Sequence, residues 1–214
     1  MDGEAGKNMN QIVYEVETRV HFRTREEAFH MLPFLKDCLH REIHWETWMY
    51  GEELFRSGKL LRTSENTENN VTRSFIGYKE QDLGSICNIR KEWDEEITHG
   101  LNSSRILEII GGANTCITSG NISDLLQSLG YEKFMFFSGV SLVGKDMERA
   151  LSLKLMYCSA LEYPLMLEIE KSAGSLDEAK KAEETLRIFL DEYGLLDRYV
   201  KKEPPTLLYE AVRK

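Results

Sequence analysis

A chain of 214 residues, 42% of them hydrophobic, suits one or two domains and can bury a sizeable core. Its formal net charge of −9 argues against a general nucleic-acid binder, which would carry a basic face, but leaves room for a phosphate ligand in a locally basic pocket. No stretch is long and apolar enough to span a membrane, and residues 1–10 lack the apolar segment of a signal peptide, so a cytoplasmic protein is expected, with neither a membrane nor a nucleic-acid polymer as partner.

Residues 1–10 are expected to be disordered and residues 11–214 to form one domain. Residues 11–23 alternate with a period of two, which predicts a strand. Tyr14, Val16, Thr18, Val20 and Phe22 take one face; Glu15, Glu17, Arg19, His21 and Arg23 take the other. That polar face carries only ionisable groups, acids first and bases after. Thr24-Arg25-Glu26-Glu27 is a capping box. It opens a helix through Ala28, Met31, Leu32, Leu35 and Leu39, kinked or divided at Pro33. Residues 43–50 read as a second strand, and Leu60, Leu61 and Arg62 open a third. The polar stretch from Thr63 to Thr72 reads as a loop joining two hairpin strands. Arg73 to Lys79 then places Arg73, Phe75, Gly77 and Lys79 on one face, and Ile86 to Ile97 does the same with Asn88, Arg90, Glu92, Asp94 and Glu96. Residues 98–122, rich in Gly, Ser, Asn and Thr, come nearest to a boundary between halves. Ser123 to Leu129 predicts a short helix ended by Gly130. Lys133 to Val143, Leu151 to Cys158 and Pro164 to Lys171 read as strands. A second capping box, Ser175-Leu176-Asp177-Glu178, starts a helix with Ala179, Ala182, Leu186, Phe189 and Tyr193 inward, stopped at Gly194. Pro204-Pro205 is expected to break the chain before a short segment around Tyr209.

Two Glu-x-Glu pairs stand out, Glu15 with Glu17 and Glu168 with Glu170. In a strand each pair points to one face, roughly 6–7 Å apart. One such pair is usually a solvated face. Two pairs at opposite ends of the chain converge if their strands meet, and crowded carboxylates need a cation to offset their repulsion. Hard divalent ions such as Mg²⁺ or Mn²⁺ take oxygen ligands. Arg19, Arg62, Lys79 and Arg90 fall on polar faces of separate strands. Arginine forks two hydrogen bonds to phosphate oxygens and lysine supplies a point charge. The cysteines form no Cys-x-x-Cys pair and read as reduced thiols, and the scattered histidines as structural or surface groups.

The ordered series Glu15-x-Glu17-x-Arg19, Leu61-Arg62, Tyr78-Lys79, Arg90-x-Glu92-x-Asp94 and Leu167-Glu168-Ile169-Glu170 resembles the CYTH superfamily, the triphosphate tunnel metalloenzymes, from about Val13 to the Tyr209 region. The resemblance implies an α+β fold built on a closed eight-stranded antiparallel β-barrel, a tunnel open at both ends. It implies Mg²⁺ or Mn²⁺ on Glu15, Glu17, Glu168 and Glu170, and a triphosphate-containing small molecule gripped by Arg19, Arg62, Lys79 and Arg90. Glu92 and Asp94 complete an acidic lining, and Glu15, Glu17, Arg19 and Lys79 are the expected catalytic groups. Ser64 stands where the family often has a second base, the stretch around Ser138 lacks the usual bases, and Lys154 falls near an expected metal-binding Asp. Arg73, Lys145 and Lys154 are candidate compensating cations, Arg73 and Lys154 as substrate-binding residues.

The implied activity is hydrolysis of a triphosphate (inorganic tripolyphosphate, thiamine triphosphate or a nucleoside triphosphate) by metal-assisted phosphoryl transfer to water. Cyclisation of ATP to cyclic AMP is the second enzymatic reading. A binding module without turnover, motivated by the missing bases, is the reading of a different class. Trp45, Trp48, Phe75 and Tyr78 can stack on a base, although core packing is the commoner use of such residues. A monomer or a homodimer is expected.

Overall fold

The computed structural model describes residues 14–112 and 115–213. The expected start of the first strand at residues 11–13, and the expected disorder of residues 1–10, lie outside the described residues. The strands are β1 (Tyr14–Phe22), β2 (Leu39–Tyr50), β3 (Leu60–Glu68), β4 (Val71–Lys79), β5 (Asn88–Glu96), β6 (Lys133–Asp146), β7 (Leu151–Tyr157) and β8 (Leu165–Ala173). They close into an antiparallel barrel in the order β1-β5-β4-β3-β2-β6-β7-β8. The alternation in sequence therefore becomes an inside and an outside. β1 pairs with both β5 and β8, which brings the two Glu-x-Glu segments side by side: Glu17 lies opposite Glu170 and Arg19 opposite Glu168.

The helices are α1 (Arg25–Met31), α2 (Leu35–Cys38), α3 (Glu52–Arg56), α4 (Arg105–Ile109), α5 (Ile122–Ser128), α6 (Leu176–Glu192) and α7 (Pro204–Val212). Both expected capping boxes form. Glu27 N–H donates to Thr24 Oγ1 while Glu27 Oε2 accepts from Arg23 N–H. Glu178 N–H donates to Ser175 Oγ while Glu178 Oε2 accepts from Gly174 N–H. The helix divides at Pro33 as expected, but Leu39 begins β2 rather than ending α2. α6 lays Ala182, Leu186, Phe189 and Leu190 on the outer faces of β1 and β8, against Val16, Val20, Leu167 and Ile169. Each such buried Leu or Phe contributes ~1.5–3 kcal/mol.

Three expectations need correction. Thr63 to Thr72 is not a loop: β3 runs to Glu68 and β4 starts at Val71. Val71 apart, which is itself exposed, the stretch lacks apolar residues because the hairpin arms extend beyond the packed core. They are held by the ladder, by a Thr67–Thr72 hydroxyl contact of 2.8 Å and by Arg41 on Glu68 at 2.7 Å. Residues 98–122 do not divide the chain into halves. α4 and α5 pack Ile106, Leu107 and Leu126 with Tyr50, Leu61, Ile76 and Tyr78 of the barrel. Pro204-Pro205 starts a helix instead of breaking one, because the first helical positions need no N–H donor.

The β3–β4 turn puts Asn69 and Asn70 at φ 50° and 62°, the left-handed region. Asparagine tolerates that region and a β-branched residue does not. Asn70→Val is expected to lose ~1–2 kcal/mol in urea unfolding, while Asn70→Gly holds or gains a few tenths.

Candidate functional site

The inward face of the barrel carries the ionisable residues. Arg19, only 1% exposed, is the centre of the array. Its Nε donates to Glu168 Oε1 at 2.9 Å and its Nη1 to Asn88 Oδ1 at 2.8 Å; Nη2 pairs with Glu17 and lies 3.7 Å from Glu203. Lys79 Nζ reaches Glu15 at 2.6 Å, Glu92 at 3.1 Å, Glu17 at 3.6 Å and Glu203 at 3.9 Å. Arg62 bridges Glu92 and Asp94, each at 3.1 Å. Gly77 makes room for that bridge, since a Cβ there would stand 2.3 Å from Asp94 Oδ1 and 2.7 Å from Arg62 Nε. Lys154 Nζ lies 2.9 Å from Glu168.

A cavity of about 310 Å³ opens onto this array, lined by Arg19, Arg62, Lys79, Lys154, Asp94, Glu168 and Glu203 among others. Two residues expected at the phosphate lie elsewhere. Arg73 is exposed and lines a separate rim cavity of about 240 Å³ beside Asn69. Arg90 does not line the tunnel cavity; it donates to the carbonyls of Gly58 and Glu80 at 2.8 and 2.9 Å and pairs with Glu203 at 2.9 Å. Ser64 and Ser138 fall differently. Ser64 faces the tunnel, where its hydroxyl meets that of Thr47 at 3.1 Å. Ser138 is on the outside, and the inward positions of that stretch are Phe137 and Ser141.

Sequence reasoning missed Glu203. It is 3% exposed and meets Arg19, Lys79 and Arg90. The chain before it is tied to the barrel. Val200 N–H donates to Arg19 O at 2.8 Å, and Lys201 Nζ reaches Cys87 O at 2.6 Å and Asp82 at 3.0 Å. Glu203 then sits at the N-cap of α7 with Pro204 and Pro205 on the cavity wall. Behind them Met49, Leu60, Met156, Met166 and Leu208 form one apolar cluster. The tunnel is therefore closed at the α7 end, where the resemblance implied an opening. The only signal in the sequence was an acid directly before Pro-Pro, which reads equally as a helix cap.

The charges do not balance. Glu15, Glu17, Glu92, Asp94, Glu168, Glu170 and Glu203 face Arg19, Arg62, Lys79, Arg90 and Lys154, a formal excess of two negative charges. The strain falls unevenly. Burial pushes the Glu168 carboxyl up, but Lys154 and Arg19 outweigh it and hold it at about 2. Burial likewise acts on Glu17 and is outweighed by Arg19 and Lys79, so Glu17 stays well below the usual carboxylate range. Burial raises Glu15 despite Lys79. Glu170 is pushed up to about 8 by burial and then by the charge of Glu15, and it has no ion pair within 4 Å among the described residues. Burial and the Glu17 charge raise Glu203 to about 7.

The donor chemistry at Glu15, Glu17 and Glu170 fits a hard divalent cation: oxygen ligands only, surplus negative charge, and in Glu170 a carboxyl that meets Glu15 and has no counter-ion within 4 Å among the described residues. With the side chains as they stand, no three such groups among the described residues already converge on one metal position, since Lys79 lies between Glu15 and Glu17. Glu168 is committed to Arg19 and Lys154.

No protein-family model matches this sequence, and neither does any curated protein. Solved structures do match. The PH1819 protein of Pyrococcus horikoshii OT3 is 18% identical, with a TM-score of 0.69 over 92% of this chain and 99% of that one. A candidate adenylate cyclase from Vibrio parahaemolyticus is 14% identical, with a TM-score of 0.65 over 92% and 98%. The Hippeastrum protein HpAC1, a candidate adenylyl cyclase described as having a dominant triphosphatase activity, is 16% identical, with a TM-score of 0.60 over 94% and 96%. At these identities the likeness is one of fold. The fold they share is an α+β closed eight-stranded antiparallel barrel.

Proposed function

We propose that this chain is a divalent-metal-dependent hydrolase of a triphosphate-containing small molecule. The observation that carries the reading is the inward register of Arg19, Arg62, Lys79 and Lys154 around one cavity, beside a carboxylate group with surplus charge. Arg62, Lys79 and Lys154 hold phosphate oxygens, and Arg19 anchors the chain at its inner end. Glu15, Glu17 and Glu170 would hold Mg²⁺ or Mn²⁺ once turned away from Lys79, and the ion would supply neutralisation of phosphate charge and a more acidic water as nucleophile. The closed, apolar α7 end limits water to one entrance, which strengthens every charge interaction inside. Glu92 and Asp94 keep Arg62 aimed across the tunnel until phosphate takes their place.

No helix of the described residues is long and apolar enough to cross a membrane. A cytoplasmic location belongs to the same proposal, because all four cysteines are free, as a reducing compartment keeps them. Binding without turnover is the second reading, favoured by the ion pair that Lys154 makes with Glu168 where the resemblance expects a metal-binding acid.

One comparison tests these readings. Purified protein with Mn²⁺ is offered tripolyphosphate, thiamine triphosphate and ATP, and released phosphate and cyclic AMP are both measured. Phosphate release supports the hydrolase, cyclic AMP the cyclase, and saturable binding without product the module. Arg62→Ala is expected to raise the apparent dissociation constant about tenfold, and Glu170→Gln to weaken the dependence on Mn²⁺ with little loss of fold. Unaltered kinetics in both variants would remove the site assignment.

A further inference from the structure

Asn88 is the uncharged member of the polar series Asn88, Arg90, Glu92, Asp94 and Glu96 on β5, and the function proposed above does not use it. The residue is 5% exposed. Its Oδ1 accepts from Arg19 Nη1 at 2.8 Å and its Nδ2 donates to Asp82 Oδ2 at 2.9 Å. An amide presents an acceptor on one side and donors on the other, so its neighbours decide which way it points. Arg19 can only donate. An ionised Asp82 can only accept. Between them they admit one orientation.

Asp82 lies in the connection between β4 and β5, residues 80–87. Its Oδ1 accepts from the N–H groups of Gly84 and Ile89, each at 2.9 Å, and its Oδ2 meets Asn88 and pairs with Lys201 Nζ at 3.0 Å. Burial pushes the Asp82 carboxyl up, but these partners outweigh it and hold it below its usual range. Gly84 lets the connection fold back on itself, since a Cβ there would stand 2.0 Å from Cys87 O. Opposite charges grip the connection from two sides. The N–H groups of Ser85, Ile86 and Cys87 donate to Glu183 Oε1 of α6 at 2.9, 2.8 and 2.9 Å. Cys87 O accepts from Lys201, two positions before Glu203. Asp82 therefore reaches the central cation of the tunnel through Asn88 and the plug through Lys201.

The three nitrogens of the Arg19 guanidinium are held by Glu168, Asn88 and Glu17. Two of these ties are to acids whose partners would change when the site fills. Glu17 belongs to the candidate metal site, and Glu168 also pairs with Lys154, a candidate phosphate-binding cation. Asn88 is neutral, so neither a metal ion nor a phosphate competes for it by charge. Resting on the triphosphate reading above, we propose that Asp82 is a positioning residue of this site. It fixes the Asn88 amide, and Asn88 keeps Arg19 aimed into the tunnel while Glu17 turns to the metal. The same carboxylate ties down the plug through Lys201. Asp82 touches neither ligand nor metal and acts through Asn88.

Asp82→Asn keeps the shape but can itself donate, so the Asn88 amide loses its single orientation. Glu183→Gln loosens the same connection from the α6 side and is the control for a merely structural role. Lys201→Met releases the plug tie and keeps the Asn88 tie. Two quantities are read in each full-length variant: the dissociation constant for tripolyphosphate with Mn²⁺, and hydrogen exchange at the Arg19 side-chain Nε–H by NMR of isotope-labelled protein without ligand. Asp82→Asn is expected to raise the dissociation constant about tenfold and to speed the Arg19 exchange by a similar factor. Glu183→Gln and Lys201→Met are expected to lower the melting temperature while holding the Arg19 exchange within about threefold of the parent. Should Asp82→Asn not fold, Asn88→Ala removes the tie from the other side and carries the same two expectations. Arg19 exchange indifferent to Asp82→Asn overturns the positioning role. Equal losses in Glu183→Gln overturn it as well, since the connection then matters only as part of the fold. Lys201→Met reproducing Asp82→Asn routes the effect through the plug and overturns the Asn88 relay. A parent that binds neither tripolyphosphate, thiamine triphosphate nor ATP overturns the triphosphate reading itself, whatever the Arg19 signal does.

Discussion

Glu203→Gln is expected to make the empty protein less stable and its triphosphate complex tighter. The carboxylate stands among Arg19, Lys79 and Arg90, where an anionic ligand would compete with it. Removing its charge leaves Arg90 buried with two carbonyl partners and no counter-ion. Breaking a buried pair in this way costs ~3 kcal/mol or more. The tunnel's surplus of negative charge falls at the same time, so a polyanion meets less repulsion. A tightening of about tenfold corresponds to ~1.4 kcal/mol, modest beside a unit-charge interaction at this range. Melting with and without tripolyphosphate and Mn²⁺ reads both effects: a lower melting temperature alone, and a larger upward shift with ligand than the parent shows. A variant of unchanged stability and weaker binding would mean that Glu203 contributes to the ligand site instead of competing for it.

Glu203 also marks where sequence reasoning stops. The strands were legible because they alternate with a period of two, with the acids and bases on the polar side of that pattern; their closure into a barrel was implied only by the family resemblance of the ordered acid and base series. Closure then set Glu17 opposite Glu170 and Arg19 opposite Glu168. Three things were not legible. The Thr63–Thr72 stretch hid a hairpin because arms outside the core need no apolar face. The partner of each cation depends on side-chain reach across the tunnel: Arg90 turns to two carbonyls and Glu203, and Lys154 to Glu168. Glu203 of the plug lies more than a hundred positions from Arg19, Lys79 and Arg90, the cations it meets, and local pattern carries no information about such contacts.

Arg19→Met is expected to have the largest effect of any single change. Arg19 is 1% exposed and holds Glu17, Glu168 and Asn88 while facing Glu203. Methionine fills much of the same space but leaves those acids without their common cation. Lys79 and Lys154 still reach Glu17 and Glu168 from one side, so the loss is partial per acid, yet two acids are affected at once. Uncompensated buried charge of this kind costs ~3–5 kcal/mol, a large share of the ~5–15 kcal/mol that a domain possesses. The variant should unfold at much lower urea, with some of the loss recovered in Mn²⁺, which can stand in for the missing positive charge. Adding Glu17→Gln and Glu168→Gln to Arg19→Met separates the causes. If the cost is unpaired charge, the triple variant regains most of the stability while triphosphate binding stays lost, because neutral amides tolerate burial but attract neither metal nor phosphate. If the cost is lost packing around the guanidinium, the triple variant is no more stable than Arg19→Met, and the ionic array is then a binding device that contributes little to holding the barrel.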